Sequence, residues 1–185
     1  ELPPLEDRLA AAAQGVDDSL AFWDNYLSEN RAKRQDNSFA FDTVTVDKGL
    51  NNARYEFCFW DLAPDEALIV ESDVPAARYW ALQLYQLGTF ELVDPWGRIS
   101  SRNQTQTIKS PDGKVRWVLA HEDPEVANWL DTAGRRTGLC TLRWFWPKGD
   151  DAPTPSTRLV KLDDVEDAMA DETAWVDPEG RAAEL

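Results

Sequence analysis

Between Phe39 and Pro147, short runs rich in aromatic and β-branched residues recur at roughly ten-residue spacing, with a turn signal between successive runs. Few folds accept that pattern. Tyr55, Phe57 and Phe59 alternate with Glu56, Cys58 and Trp60, and Ala67–Glu71 follows the turn-like Ala63-Pro64-Asp65-Glu66. Arg78–Leu87 reads as a longer aromatic strand, and Leu139–Trp146 as another, stopped by Pro147. Thr105–Lys109 and Lys114–Ala120 flank Ser110-Pro111-Asp112-Gly113, where Pro and Gly preset the dihedrals of a hairpin turn. The spacing predicts a mainly β domain, a sandwich or a barrel.

Before the strands, residues 3–34 read as one helix. Pro3 and Pro4 suit its first turn, and Leu5, Leu9, Ala12, Val16, Leu20, Trp23 and Leu27 recur at a three-to-four spacing that makes one apolar stripe. Gly15 marks a position for a break or kink. After the strands comes a loop over Lys148–Ser156, then a last strand over Thr157–Leu162. Asp163 is placed to cap a short helix reaching Met169, and the chain is expected to fray beyond it. The expected division is a helical segment, 1–38, packing on a sandwich, 39–165, with an acidic tail over 166–185.

The net charge of the 185 residues is −15, and the segment from Asp163 to Leu185 carries nine acidic residues and one basic one. Lys and Arg are nowhere clustered as a phosphate backbone requires, so nucleic acid and anionic membrane surfaces are not expected partners. No run approaches the ~20 apolar residues of a membrane span, and the N-terminus does not resemble a signal peptide. Cys58 and Cys140 sit inside apolar runs, where a free Cys packs as a small hydrophobe. Without a disulfide framework, a reducing compartment, the cytoplasm, is the expectation.

Catalytic motifs are scarce. The single histidine, His121, cannot supply the several imidazoles of a transition-metal centre, and the Glu122, Asp123 and Glu125 loop lacks an EF-hand pattern. No metal and no cofactor are expected. Gly-x-Ser-x-Gly and Gly-rich phosphate loops do not occur. Cys140 with His121 would make a thiol–imidazole pair only if folding joined them, and an apolar strand is a poor place for a thiolate. A carboxylate pair for glycoside hydrolysis does not stand out among so many acids.

Two stretches carry candidate site residues. Alternation along Arg78–Tyr85 puts Gln83 and Tyr85 on one face of the strand and Trp80 on the other. Arg143 interrupts the aromatic run Leu142–Trp146, either as a buried anchor for a carboxylate or as a residue of the outer face. The segment His121–Gly134 leaves a strand, turns at Pro124, and must bury Trp129 and Leu130, which suggests a cover over an open end of the β core. His121, Asn128 and Asp131 then stand as polar groups beside an apolar cover. Alternatively, Asn128 and Asp131 serve only the backbone of an ordered turn.

These stretches together resemble the C-terminal domain of a bacterial family known as domain of unknown function 1214. The resemblance rests on Trp60-Asp-Leu-Ala-Pro-Asp-Glu-Ala-Leu68, Arg78–Tyr85, Ser101-Arg-Asn103 before the Asp112-Gly113 hairpin, Ala120-His-Glu-Asp-Pro124, Asn128-Trp-Leu-Asp-Thr-Ala-Gly134 and Leu142-Arg-Trp144. It implies a jelly-roll-like antiparallel β-sandwich, with an N-terminal helix before it, often as the second half of a longer chain. The start at Glu1 agrees with that expectation. No reaction is implied. Where a His commonly follows the Thr-Ala-Gly element in the family, this chain has Arg135.

Two functions follow as expectations. The first is binding of a small, partly apolar ligand by Trp80, Gln83, Tyr85, Asn103, Asn128, Trp129 and Arg135, or docking on a partner domain or a second copy through the helical stripe. The second is a metal-independent hydrolase or lyase in which His121 is general acid or base, Asp131 orients it, and Arg143 or Arg135 holds an anionic group.

Overall fold

A computed structural model describes residues 2–39, 52–149, 153, 155–169 and 173–184. Part of the expected Lys148–Ser156 loop lies outside them. Helix α1 (Leu5–Ala32) is followed by β1 (Ala53–Asp61), β2 (Glu66–Asp73), β3 (Ala77–Tyr85), β4 (Ser101–Asn103), β5 (Lys114–Ala120), β6 (Trp129–Asp131), β7 (Thr137–Pro147) and β8 (Ser156–Lys161). Short helices α2 (Val165–Ala168) and α3 (Pro178–Ala182) close the described chain.

The strands form two four-stranded sheets, β1-β7-β3-β4 and β6-β5-β2-β8, so the expected sandwich is the fold observed. Every pairing is antiparallel except β5 with β6. The inward faces bury Trp60, Leu68, Val70, Trp80, Leu82, Trp117, Leu119, Leu142 and Trp144 between the sheets. Trp80 and Trp117, from opposite sheets, meet edge to face with centroids 6.0 Å apart. No helix of the described residues is long and apolar enough to cross a membrane.

Both sheets bury part of their outer faces too, the second through Ile69, Val118 and Trp129 against Val165 and Met169. On the first, Phe57 and Phe59 of β1, Tyr85 of β3 and Leu139 of β7 form a cluster with Leu27 of α1. That is why β1 reads as a nearly continuous apolar run rather than a half-polar one. The end of α1 is tied down over this face. Arg31 donates to Asp36 at 2.6 Å and lies 3.7 Å from Asp61, while the Asn37 amide donates to the Asp61 carbonyl.

Several expectations are corrected. The helix runs through Gly15 without a break, since the residue is exposed and an interior Gly costs only about 1 kcal/mol. Of the apolar stripe only Leu27 is buried; Leu5 is 65% exposed, and Leu9, Val16 and Leu20 also face solvent. Thr105–Lys109 is mostly turn, with a single bridge from Lys109 to Val115, because the Asn103 carboxamide captures the amides of Thr105 and Gln106. Asp163 caps no helix.

The 173–184 segment does not fray. Ala127 donates its amide to the Ala174 carbonyl, Val176 to that of Glu125, and Trp175 bridges Val126. Arg181, 5% exposed, donates to the Asp123 carboxylate at 2.7 Å and to the Val126 carbonyl at 2.6 Å, and its guanidinium lies over the Trp129 ring.

Candidate functional site

The residues that could hold a ligand gather on the outer face of the first sheet, where β1, β7 and β3 lie side by side. Period-two alternation directs Tyr55 and Phe57 of β1, Thr141 and Arg143 of β7, and Gln83 and Tyr85 of β3 outward together. The register fixes their neighbours: Tyr55 is opposite Arg143, Phe57 opposite Thr141, and Gln83 opposite Thr141 on the other side. Above this patch run Phe22, Trp23 and Tyr26 of α1, and Phe90 closes the side. Together they border a half-open cavity of about 270 Å³, apolar except for Thr141, Arg143 and the ends of the tyrosines.

The aromatic wall is ordered ring on ring. Phe90 stacks on Tyr85 with centroids 4.7 Å apart, and Trp23 stacks on Phe90 at 4.8 Å. The Phe90 backbone reaches φ 56°, a conformation that costs a non-glycine residue free energy, and the two stacks hold it there.

Arg143 organises the floor. Its Nη1 donates to Gln83 Oε1 at 2.9 Å and lies 3.4 Å from the Tyr85 hydroxyl, which itself donates to Gln83 Oε1 at 3.0 Å. The guanidinium sits 4.9 Å from the Phe145 ring centre and 5.4 Å from that of Tyr55. No carboxylate of the described residues pairs with it. Its Nε and the Thr141 hydroxyl, on a side chain 2% exposed, are buried and have no hydrogen-bond partner. Burial pushes the Tyr85 phenol up from its ordinary value, opposed by the charge of Arg143.

The other sequence-derived candidates lie elsewhere. Trp80 is in the inter-sheet core. Asn103 caps a turn, and Arg135 donates to Gln86 at 3.3 Å. Asn128 accepts the Ile108 amide and donates to the carbonyls of Ile108 and Arg116, so it serves the backbone as an Asx residue does. Trp129 and Leu130 do not cover an open end. They belong to edge strand β6, Leu130 facing the inter-sheet core and Trp129 the opposite cluster.

His121, Asp131 and Arg143 bond to separate groups. The His121 ring nitrogens meet the Thr132 hydroxyl at 2.6 Å and the Leu62 carbonyl at 3.3 Å. Asp131 accepts from Arg98 at 2.9 Å and from the Ala133 amide. Cys58 and Cys140 face each other across β1 and β7, fully buried, and burial raises both thiols far from thiolate character. Among the described residues, no group of three or more His, Cys, Asp or Glu could hold a metal ion.

A second, more open depression of about 490 Å³ is lined by Trp96, Arg98, Arg102 and Glu184 among others. Its cations are already matched: Arg98 with Asp131 at 2.9 Å, Arg102 with Glu184 at 2.8 Å. Of these two depressions, the aromatic cavity is the one whose arginine meets no carboxylate of the described residues. Sequence reasoning named Tyr85 as a ligand-binding residue, with Gln83 beside it, and Arg143 as a candidate of the alternative enzyme, but named none of Phe22, Tyr26, Tyr55, Phe57, Phe90 and Thr141 as site residues. The Tyr55/Phe57 alternation was a usable signal for two of them, and nothing local marks Phe90.

The fold and cavity define a two-sheet β-sandwich domain with the C-terminal end of a helix against one outer face. Residues 61–149 match the model of a family described as protein of unknown function (DUF1214), so the resemblance read from the sequence holds over that segment. Among solved structures, an uncharacterised protein from Burkholderia cenocepacia is 32% identical, with a TM-score of 0.62, over 69% of this chain and 36% of its own. The VPA0106 protein from Vibrio parahaemolyticus is 14% identical, with a TM-score of 0.46, over 60% of this chain and 31% of its own. The chain thus spans about a third of the length of each. No curated protein matches it. The matched segment contains Gln83, Tyr85, Phe90, Thr141 and Arg143, whereas Tyr55, Phe57 and the helical wall lie before it.

Proposed function

We propose that this domain binds a small, partly apolar molecule between α1 and the outer face of its first sheet. The observation that carries the reading is an aromatic cavity whose floor holds an arginine paired with no carboxylate of the described residues. An apolar enclosure with a few convergent polar groups is how small-molecule sites are usually made. Its volume is near the low end for such sites, which suits a compact ligand.

Native mass spectrometry of the freshly purified chain, followed by a denaturing run, tests this. An extra mass lost on denaturation is expected from the parent chain and not from Trp23→Ala. That change removes one wall of the cavity from a half-buried helix position and leaves the sandwich core alone. A bare parent chain that also takes up no aromatic compound opposes the reading.

A second reading is docking through α1. Leu5, Leu9, Val16 and Leu20 form an exposed stripe, and a contiguous apolar surface of that kind suits a partner domain or a second copy. Light scattering of the chain, with Leu9→Glu as control, separates a self-associating helix from a monomer.

A further inference from the structure

Resting on the binding reading above, we infer that the molecule held in the cavity is a planar apolar acid, about one or two fused rings carrying a single carboxylate. Three observations on the floor and walls point to it.

The first is charge. Among the described residues Arg143 is the one cation lining the cavity, and its hydrogen-bonding neighbours, Gln83 and Tyr85, are neutral. Among the part-buried arginines, Arg34 and Arg135 likewise pair with neutral groups, whereas three more deeply buried ones do not. Arg102, Arg116 and Arg181 each meet a carboxylate within 2.9 Å. A guanidinium withdrawn from water without a counter-charge is costly, and ring faces offset only part of that cost. A ligand carboxylate supplies the missing charge in the geometry the guanidinium favours.

The second is hydrogen bonding. Arg143 and Thr141 are the two non-aromatic residues of the lining. Both can donate, so they ask for an acceptor rather than a donor. Two donors and one positive charge suit a monoanionic carboxylate. A phosphate would call for further cations or a nest of backbone amides, and the lining offers neither.

The third is shape. Seven of the nine lining residues are aromatic, and a planar aromatic body matches such a lining. The net charge of −15 does not attract an anion from a distance. Selection therefore depends on the local guanidinium, within a screening length of about 8 Å at physiological salt.

Isothermal titration of the full chain with 2-naphthoate and with its neutral counterpart 2-naphthalenemethanol tests the inference. Naphthoate is expected to bind at least about tenfold more tightly than the alcohol, the span of one charge-assisted hydrogen bond. Arg143→Gln is expected to weaken naphthoate by about 10- to 100-fold and to leave the alcohol within about threefold. Arg143→Lys, which keeps the charge, recovers part of the loss and guards against a folding defect. Equal affinity for acid and alcohol overturns the acid assignment while the cavity reading stands. Naphthoate binding indifferent to both Arg143 variants also overturns it, by placing the anion elsewhere. Binding of neither compound removes the cavity reading itself.

Discussion

The indole of Trp60 lies directly over Gly138, its partner across β1 and β7. A Cβ built on Gly138 would stand 2.0 Å from Trp60 Cζ2 and 2.1 Å from Cη2. Trp60 is fully buried, and its Nε1 donates to the Arg135 carbonyl at 3.1 Å, so the ring has no room to retreat. Gly138 is needed here for space, not for backbone freedom.

Gly138→Ala is therefore expected to destabilise the domain by about 3 kcal/mol, at the upper end for overpacking a core. Urea denaturation measures it. Trp60→Phe removes the six-membered ring that the Cβ would strike, so the double variant should lose clearly less than the sum of the two single losses. Strict additivity would show that the clash is relieved some other way.

Asn128 joins three backbone groups that no strand pairing serves: the amide and carbonyl of Ile108 and the carbonyl of Arg116. Asn128→Asp keeps the shape but loses both donated bonds and sets a charge against two carbonyls in a buried place. A loss of about 2–4 kcal/mol is expected, larger than for Asn128→Ala, in which nothing repels. If the two variants were equally stable, the amide's donors would matter less than this geometry says.

These two sites also show what could be read in advance. Period-two alternation is strictly local, so it sorted Gln83 and Tyr85 from Trp80 correctly, and the aromatic run around Arg143 marked a strand. The steric demand on Gly138 depends on a ring 78 positions away and leaves no trace in neighbouring residues. Likewise His121–Gly134 reads as a loop because β6 pairs parallel to β5, and a parallel pair lacks the short hairpin turn that betrays an antiparallel one. The helix was evident from its spacing, but which part of it is covered was not. Tyr26 packs beside Leu27 and Trp23 is half-buried, whereas Phe22, 58% exposed, and the apolar stripe that continues toward Leu5 meet solvent.

Arg181 holds the last described segment against the second sheet. It joins the Asp123 and Glu184 carboxylates and the Val126 carbonyl, and Glu184 in turn reaches Arg102. Arg181 is buried while the Asp123 and Glu184 side chains are 27% and 33% exposed and Glu184 keeps Arg102, so removing Arg181 costs about 1–3 kcal/mol in lost charge-assisted hydrogen bonds. Arg181→Ala is expected to fall in that range and to expose the 173–184 segment to limited proteolysis before the sandwich is cut. Unchanged protease resistance would mean that the Trp175 and Ala174 contacts hold the segment by themselves.

Glu56 gives the domain a pH dependence of definite sign. It shares the inward face of β1 with Cys58 and Trp60, is 2% exposed, and has one carboxyl oxygen without a partner. Burial pushes its pKa from 4.5 to about 7. The folded state thus holds the proton more tightly than the unfolded state, and stability falls as pH rises from 4.5 to about 7. The slope is at most about 1.4 kcal/mol per pH unit for one group. Glu71, Asp112 and Glu184 have carboxyls lowered by their cationic partners and act in the opposite sense toward acid, equally in any Glu56 variant. The difference between the parent chain and Glu56→Gln therefore isolates the buried acid. Urea midpoints should show the variant more stable at about pH 8, with the advantage vanishing by about pH 5. A constant difference across that window would mean that Glu56 ionises alike in the folded and unfolded chains, and that its burial in the inward face is relieved by something other than protonation.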